Sequence, residues 1–175
     1  MSFLNFLTKN KNWLGAGALL TLSSSYGQTF FISLFAGEIM EGFSLTDGQW
    51  GSVYALSTTC SAIVMVWVGA LTDKYRARTL GVVFLCILAF TCFLMSFVTS
   101  FWALPILIFL LRFSGQGMLS HIGSVSMARW FVAARGTALA IATLGFSFGE
   151  ALLPRTVSFF LSFLYWRSIW VAAAI

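Results

Sequence analysis

Residues 69–78 read GALTDKYRAR; they end one long apolar run, residues 49–72, and lead into a second, residues 80–98. A transmembrane helix needs about 20 apolar residues, so each run is long enough to cross a bilayer. The stretch where they meet holds one acid and three bases. The sequence therefore predicts two membrane helices joined by a short basic loop.

The same pattern continues along all 175 residues. Apolar residues make up 59% of the chain and charged residues only 9%, which excludes a soluble globular protein. Three more apolar runs cover residues 13–39, 104–128 and 136–164, and a sixth extends from Trp166 to Ile175. No run alternates strictly between polar and apolar residues, so an all-α membrane protein is predicted, with residues 13–175 forming the helical bundle.

The positions of the basic residues predict the orientation of the bundle. Seven of the ten lie before the first run or in the loops after the second and fourth runs: Lys9, Lys11, Lys74, Arg76, Arg78, Arg129 and Arg135. These loops fall on one side of the membrane, and basic loops face the cytoplasm. We therefore expect residues 1–12 to form a cytoplasmic tail of a multi-pass protein in the plasma (inner) membrane.

The basic loop resembles the loop between helices two and three of the major facilitator superfamily, which reads G-x-L-x-D-[RK]-x-G-[RK]-[RK]. The positions that match are Gly69, Leu71, Asp73, Lys74 and Arg78. Arg76 stands at the glycine position of the pattern and Ala77 at one of its basic positions. The resemblance implies that this loop is a latch, which contacts the other half of a transporter at the cytoplasmic face.

Two later stretches extend the resemblance. Residues 112–117, RFSGQG, are similar to the family's R-x-x-x-G-x-G signature on helix four, with Gly115 and Gly117 each one position earlier than the glycines of the signature. Residues 130–138 and the Gly145-x-x-x-Gly149 spacing are similar to the helix four to five junction of monocarboxylate and oxalate/formate-type members. The resemblance implies the amino-terminal six-helix half of a twelve-helix fold, truncated within the sixth helix. The carboxyl-terminal half of the same transporter is then an implied partner.

Arg112 is a candidate binding residue because it lies near the middle of the fourth run. A charge at that depth is costly in lipid, so it is expected to face protein or water. In an α-helix Arg112, Gln116, Ser120 and Gly123 share one face, which we assign to a water-filled cavity. The alternative is that Arg112 pairs with a neighbouring helix for packing alone.

The middle of the first run, residues 23–29, consists of polar or small residues. Thr21, Ser25, Gln28 and Thr29 fall within one broad face and offer hydroxyl and amide groups. Close packing of helices through small residues is an equally good explanation. A fainter polar stripe on the second run consists of Tyr54, Thr58 and Ser61.

Glu150 is the only acid well inside an apolar run, and it is the candidate proton-carrying group. The alternative is a structural ion pair with Arg112 or Arg155, which a bend at Pro154 could bring closer. His121 is half a helical turn out of phase with Arg112, and is either a packing histidine or a proton relay. The predicted coupling set is therefore Glu150, Arg155 and His121.

These observations predict a secondary active transporter of a small solute that works by alternating access. The expected solute is an organic anion such as a carboxylate, because the arginine fork matches its geometry. The predicted binding residues are Arg112, Gln116, Gln28, Thr29 and Ser25. Protons are the candidate coupling ion. The alternative is a receptor or scaffold that reuses the fold without transporting.

Other function classes find little support in the sequence. An enzyme would need paired carboxylates or a nucleophile with a base, and the runs hold one histidine and one buried acid. Cys60, Cys86 and Cys92 lack the spacing of a metal site, so no metal or other cofactor is expected. The expected partners are the solute and the lipid bilayer, and nucleic acid is not among them.

Overall fold

The computed structural model describes residues 3–175, and the regular elements in this range are all helical. The α-helices are α1 Phe3–Ser24, α2 Thr29–Ser33, α3 Ala36–Phe43, α4 Asp47–Val68, α5 Leu71–Lys74, α6 Ala77–Phe97, α7 Ala103–Leu111, α8 Ser120–Trp130, α9 Arg135–Leu161 and α10 Trp166–Ala173. Short 3₁₀ turns cover Ser25–Gly27 and Val132–Ala134, and a π-helical segment covers Arg112–Leu119.

These elements form six segments in chain order. Segment one is α1 to α3, segment two is α4 and α5, and segment three is α6. Segment four runs from α7 through the π-helical segment to α8, while α9 and α10 are segments five and six. The end of the bundle that carries α5 and the connection from α8 to α9 is called the basic end below.

Within residues 3–175, four stretches of helix are long and apolar enough to cross a membrane. They are Asp47–Lys74, Ala77–Phe97, Ala103–Trp130 and Val132–Leu161. The predicted all-helical membrane fold is confirmed by these stretches.

The first apolar run, residues 13–39, is not the single continuous helix that the sequence predicts. Its first helix ends at Ser24, and the residues beyond belong to the short helices α2 and α3. Helix α1 also begins at Phe3, inside the predicted tail 1–12, whose first two residues lie outside the described ones. Segment one is therefore a discontinuous helix whose interruption lies at its polar stretch.

Segment one packs closely against segment five because small residues line the contact. A Cβ atom on Gly145 would overlap the carbonyl oxygen of Ala18, and one on Gly149 would overlap the hydroxyl of Ser25. The Thr21 hydroxyl donates to the carbonyl of Ala142 across the same contact. Small residues let two helix backbones approach to this distance, and hydrogen bonds between helices stabilise the contact.

Aromatic packing holds the short helix α10 in the bundle. Trp170 is fully buried, and its ring lies 5.3 Å from that of Phe31 and 4.8 Å from that of Phe35, measured between centroids. The two phenylalanines belong to the part of segment one beyond the helix break, at α2 and just after it. This aromatic cluster therefore fixes the broken part of segment one relative to segment six.

Candidate functional site

The site forms where segment one is interrupted. After the 3₁₀ turn Ser25–Gly27, Gln28 adopts an extended conformation with φ −82° and ψ 156°, and α2 begins at Thr29. Backbone carbonyls at such an end lose their helical partners and need others. The break lies directly against segment four, since a Cβ atom on Gly115 would be only 2.7 Å from the Cα atom of Gly27.

Arg112 occupies the space beside this break. Its Nη1 atom donates to the carbonyl oxygen of Gly27 at 3.3 Å and to the Thr29 hydroxyl at 2.9 Å. Its Cζ atom lies 5.6 Å from the centroid of the Tyr54 ring on α4. The side chain is only 6% exposed. Segments one, two and four therefore meet at this guanidinium group.

The charge of Arg112 has no counter-ion in the part of the chain that the structure describes. The one ion pair among those residues joins Asp73 and Arg129. The Nε atom of Arg112 is also buried without a hydrogen-bond partner there. An uncompensated buried charge is costly, and a free N–H donor next to it adds to that cost. The arrangement is suited to an anion that accepts hydrogen bonds from the guanidinium.

The predicted binding residues differ in how they are placed relative to Arg112. Thr29 contacts Arg112 directly, and Gln28 is a half-buried residue of the break itself. Ser25 is fully buried, its hydroxyl has no partner among residues 3–175, and it lies against Gly149. Gln116 is exposed, whereas Arg112 is buried.

Arg112 and Gln116 therefore differ in burial, although an ideal α-helix would place them on one face. Both lie in the π-helical segment Arg112–Leu119. A π-helix bonds residue i to i+5 and so has more residues per turn than an α-helix. Ser120 and Gly123, which follow this segment, are therefore rotated away from the face that 100° per residue predicts for them.

The three predicted coupling residues are not brought together. Glu150 and Arg155 are both exposed on α9, and neither forms an ion pair within residues 3–175. The alternative of a structural pair between Glu150 and Arg112 or Arg155 is thus not found. Helix α9 continues through Pro154 from Arg135 to Leu161. His121 lies elsewhere, with its Nε2 atom 3.4 Å from the Thr72 hydroxyl near the basic end.

The predicted latch loop is tied to segment four at the basic end. Asp73 forms an ion pair with Arg129, whose Nη1 atom also donates to the carbonyl oxygen of Thr72 at 2.6 Å. The two paired side chains are 63% and 51% exposed, so the pair alone adds little stability. Of the other predicted loop residues, Gly69 and Leu71 are half-buried, and Lys74 and Arg78 are exposed.

Two contacts of the site are absent from the sequence prediction. Asp73 and Arg129 pair although they are 56 positions apart. The only sign of this pair in the sequence is Asp73 itself, because an acid in a basic loop needs a base to hold it. Tyr54 stands out in the sequence as part of a faint polar stripe. Its contact with Arg112 depends on how segments two and four pack, which the stripe does not specify.

Comparison with known proteins gives one finding. A family model described as Major Facilitator Superfamily matches residues 17–175, which is most of the chain. Comparison of the chain with curated proteins and with solved structures finds no match. The match is to the superfamily as a whole, and the finer likeness to monocarboxylate and oxalate/formate-type members stays a prediction.

Proposed function

Because the chain belongs to the major facilitator superfamily, we propose that it forms part of a secondary active transporter that carries a small carboxylate by alternating access. Family membership makes it a multi-pass membrane protein of a transporter family.

The observation that carries the proposal is the buried guanidinium of Arg112 without a carboxylate beside it in the described residues. Arginine binds carboxylates through two parallel N–H donors in a planar fork. Nη1 is already used by Gly27 and Thr29, while Nε is free. A carboxylate that approaches the Nε edge would neutralise the charge and complete the hydrogen bonds.

The break in segment one supports alternating access around this site. Transporters place solute sites at discontinuous helices, where backbone groups are free to bind and where the chain can bend. Here the break supplies two acceptors to Arg112, the carbonyl oxygen of Gly27 and the side-chain hydroxyl of Thr29. A solute on the Nε edge binds the same guanidinium that these two acceptors hold, so its affinity depends on the position of α2. Binding and conformational change are coupled in this way, since the solute then binds the two states unequally.

We further propose an orientation for the bundle, a role for the basic loop and a place for the second half of the transporter. The basic end faces the cytoplasm, so that the amino terminus is cytoplasmic and the bundle lies in the plasma (inner) membrane. The basic loop acts as a latch that contacts the other half at the cytoplasmic face, as the family resemblance implies, and the Asp73–Arg129 pair holds this loop against segment four. The carboxyl-terminal half of the same transporter is the partner of this half, while the groups proposed to bind the carboxylate all lie in this half.

Substituting Arg112 with lysine tests the proposal while it keeps the positive charge. An ammonium group cannot reproduce the two-donor fork, and a hydrogen bond to a charged group contributes about 1.5–3 kcal/mol. We therefore expect Arg112→Lys to weaken carboxylate binding by about 10- to 100-fold. The measurement is equilibrium binding of radiolabelled lactate and succinate to the purified protein.

Arg76→Lys is the matched control, because Arg76 is an exposed residue of the basic loop, remote from the break in segment one. It should bind as the unmodified protein does. Equal binding by both lysine variants would remove Arg112 from the site. If the unmodified protein binds a carboxylate but the assembled transporter never moves it across a liposome membrane, the receptor or scaffold alternative takes the place of transport.

A further inference from the structure

A second set of unsatisfied polar groups lies on segment two. The hydroxyl groups of Tyr54 and Thr58 are buried, and neither has a hydrogen-bond partner among residues 3–175. The two residues are four apart on α4, so they lie one above the other on the same face. Their neighbour Ser57 shows the ordinary situation, since its hydroxyl lies 2.7 and 2.9 Å from the carbonyl oxygens of Val53 and Pro105 and can donate to either.

This face of α4 meets the guanidinium of Arg112. The Tyr54 ring lies 5.6 Å from the Arg112 Cζ atom, and the Arg112 Nε atom is buried and unpartnered as well. A buried donor without an acceptor is costly, and buried side-chain donors are usually satisfied. Orphan donors on two segments that are in contact are the groups that a polar molecule bound between those segments would satisfy.

We infer that Tyr54 and Thr58 bind the solute together with Arg112, and that the solute is a short carboxylate with a second polar group. This inference rests on the proposed function. The carboxylate lies on the Nε edge of Arg112 and accepts a hydrogen bond from the Tyr54 hydroxyl. The Thr58 hydroxyl, one helical turn further along α4, bonds the second polar group. Hydroxy acids, oxo acids and dicarboxylates have this form, while simple alkyl carboxylates do not.

The polar groups of this site would determine which of two similar carboxylates binds more tightly. A site that is built to hydrogen-bond a polar substituent rejects the analogue without it, because its own polar group is then left buried and unpaired. If ordered water alone satisfied Thr58, removing its hydroxyl would not alter the preference between two such solutes. The difference between paired solutes therefore separates the two cases.

The experiment compares equilibrium binding of two solute pairs, lactate with propionate and succinate with butyrate, to the purified protein. In the unmodified protein the member with the extra polar group should bind about tenfold more tightly in at least one pair. Thr58→Val should abolish that difference and leave the affinity for the simple carboxylate unchanged. Tyr54→Phe should weaken both members of the pair. Thr59→Val and Tyr75→Phe, at exposed positions, are the matched controls and should change nothing.

Each other outcome contradicts a definite part of the inference. Equal binding within both pairs, or a preference that survives Thr58→Val, overturns it while carboxylate binding at Arg112 stands. Unchanged affinities in Tyr54→Phe remove Tyr54 from the site. If no carboxylate binds at all, the proposed function itself fails. Both variants change a single polar atom, and thermal unfolding of each protein confirms that a loss of binding is not a loss of folding.

Discussion

Gly27→Ala is expected to destabilise the protein by about 3 kcal/mol, which lowers the thermal unfolding midpoint by about 6–12 °C for a chain of this size. The added methyl group would overlap the carbonyl oxygen of Leu111 and lie 2.8 Å from the Cα atom of Gly115. Both obstacles are backbone atoms of segment four, so no side-chain rotation can relieve the overlap. The break in segment one would have to move away from Arg112, and carboxylate binding should fall with it.

Gly51→Ala is the matched control, because it adds the same methyl group to α4 where no atom lies within 4 Å of it. Alanine is favoured over glycine inside a helix by about 0.5–1 kcal/mol, so this variant should unfold at the same temperature or slightly higher. Thermal unfolding of both purified variants measures the difference. Similar midpoints would mean that segments one and four do not meet backbone to backbone.

Glu150→Gln is expected to abolish solute accumulation driven by a pH gradient, while solute binding and exchange of solute for solute remain. Glu150 lies about 22 Å along α9 from its first residue, near the middle of a long apolar helix. Its side chain is exposed on the described bundle, and lipid contact there would be costly, so we assign it to a water-filled space or to the second half. A carboxylate gains or loses its proton as its surroundings change, and glutamine cannot.

The measurement is uptake by liposomes that contain the complete transporter, with and without an imposed pH gradient. Glu41→Gln is the control, because Glu41 is an exposed acid near the end of α3 and should keep normal accumulation. Accumulation that persists in Glu150→Gln would assign coupling to another residue, in this half or in the second.

The apolar runs alone predict most of the fold. Their lengths and the basic loops between them indicate membrane helices, and the residues around Asp73 indicate the family, because both signals are local in sequence. The break in segment one is only partly visible. Residues 23–29 are small and polar, yet the same composition fits a continuous helix with small-residue packing.

The site is less predictable than the fold because it depends on contacts between distant residues. Arg112 and Thr29 are recognisable as polar groups in apolar runs, and the structure brings them together. The π-helical segment changes the phase of segment four for the residues that follow it, and a sequence read at 100° per residue contains no sign of that change. Tyr54 becomes part of the site only through the packing of α4 on segment four.

The central claim is that the buried charge of Arg112 selects an anion. It is tested most directly by equilibrium binding of three molecules of nearly the same size and shape to the purified protein: lactate, its neutral amide lactamide and the cation 1-amino-2-propanol. A desolvated cationic site rejects a cation most strongly and leaves a neutral analogue without the charge-assisted bonds. We predict that lactate binds at least tenfold more tightly than lactamide and that the amine does not bind. Binding of the amide or the amine as tightly as lactate would contradict the account.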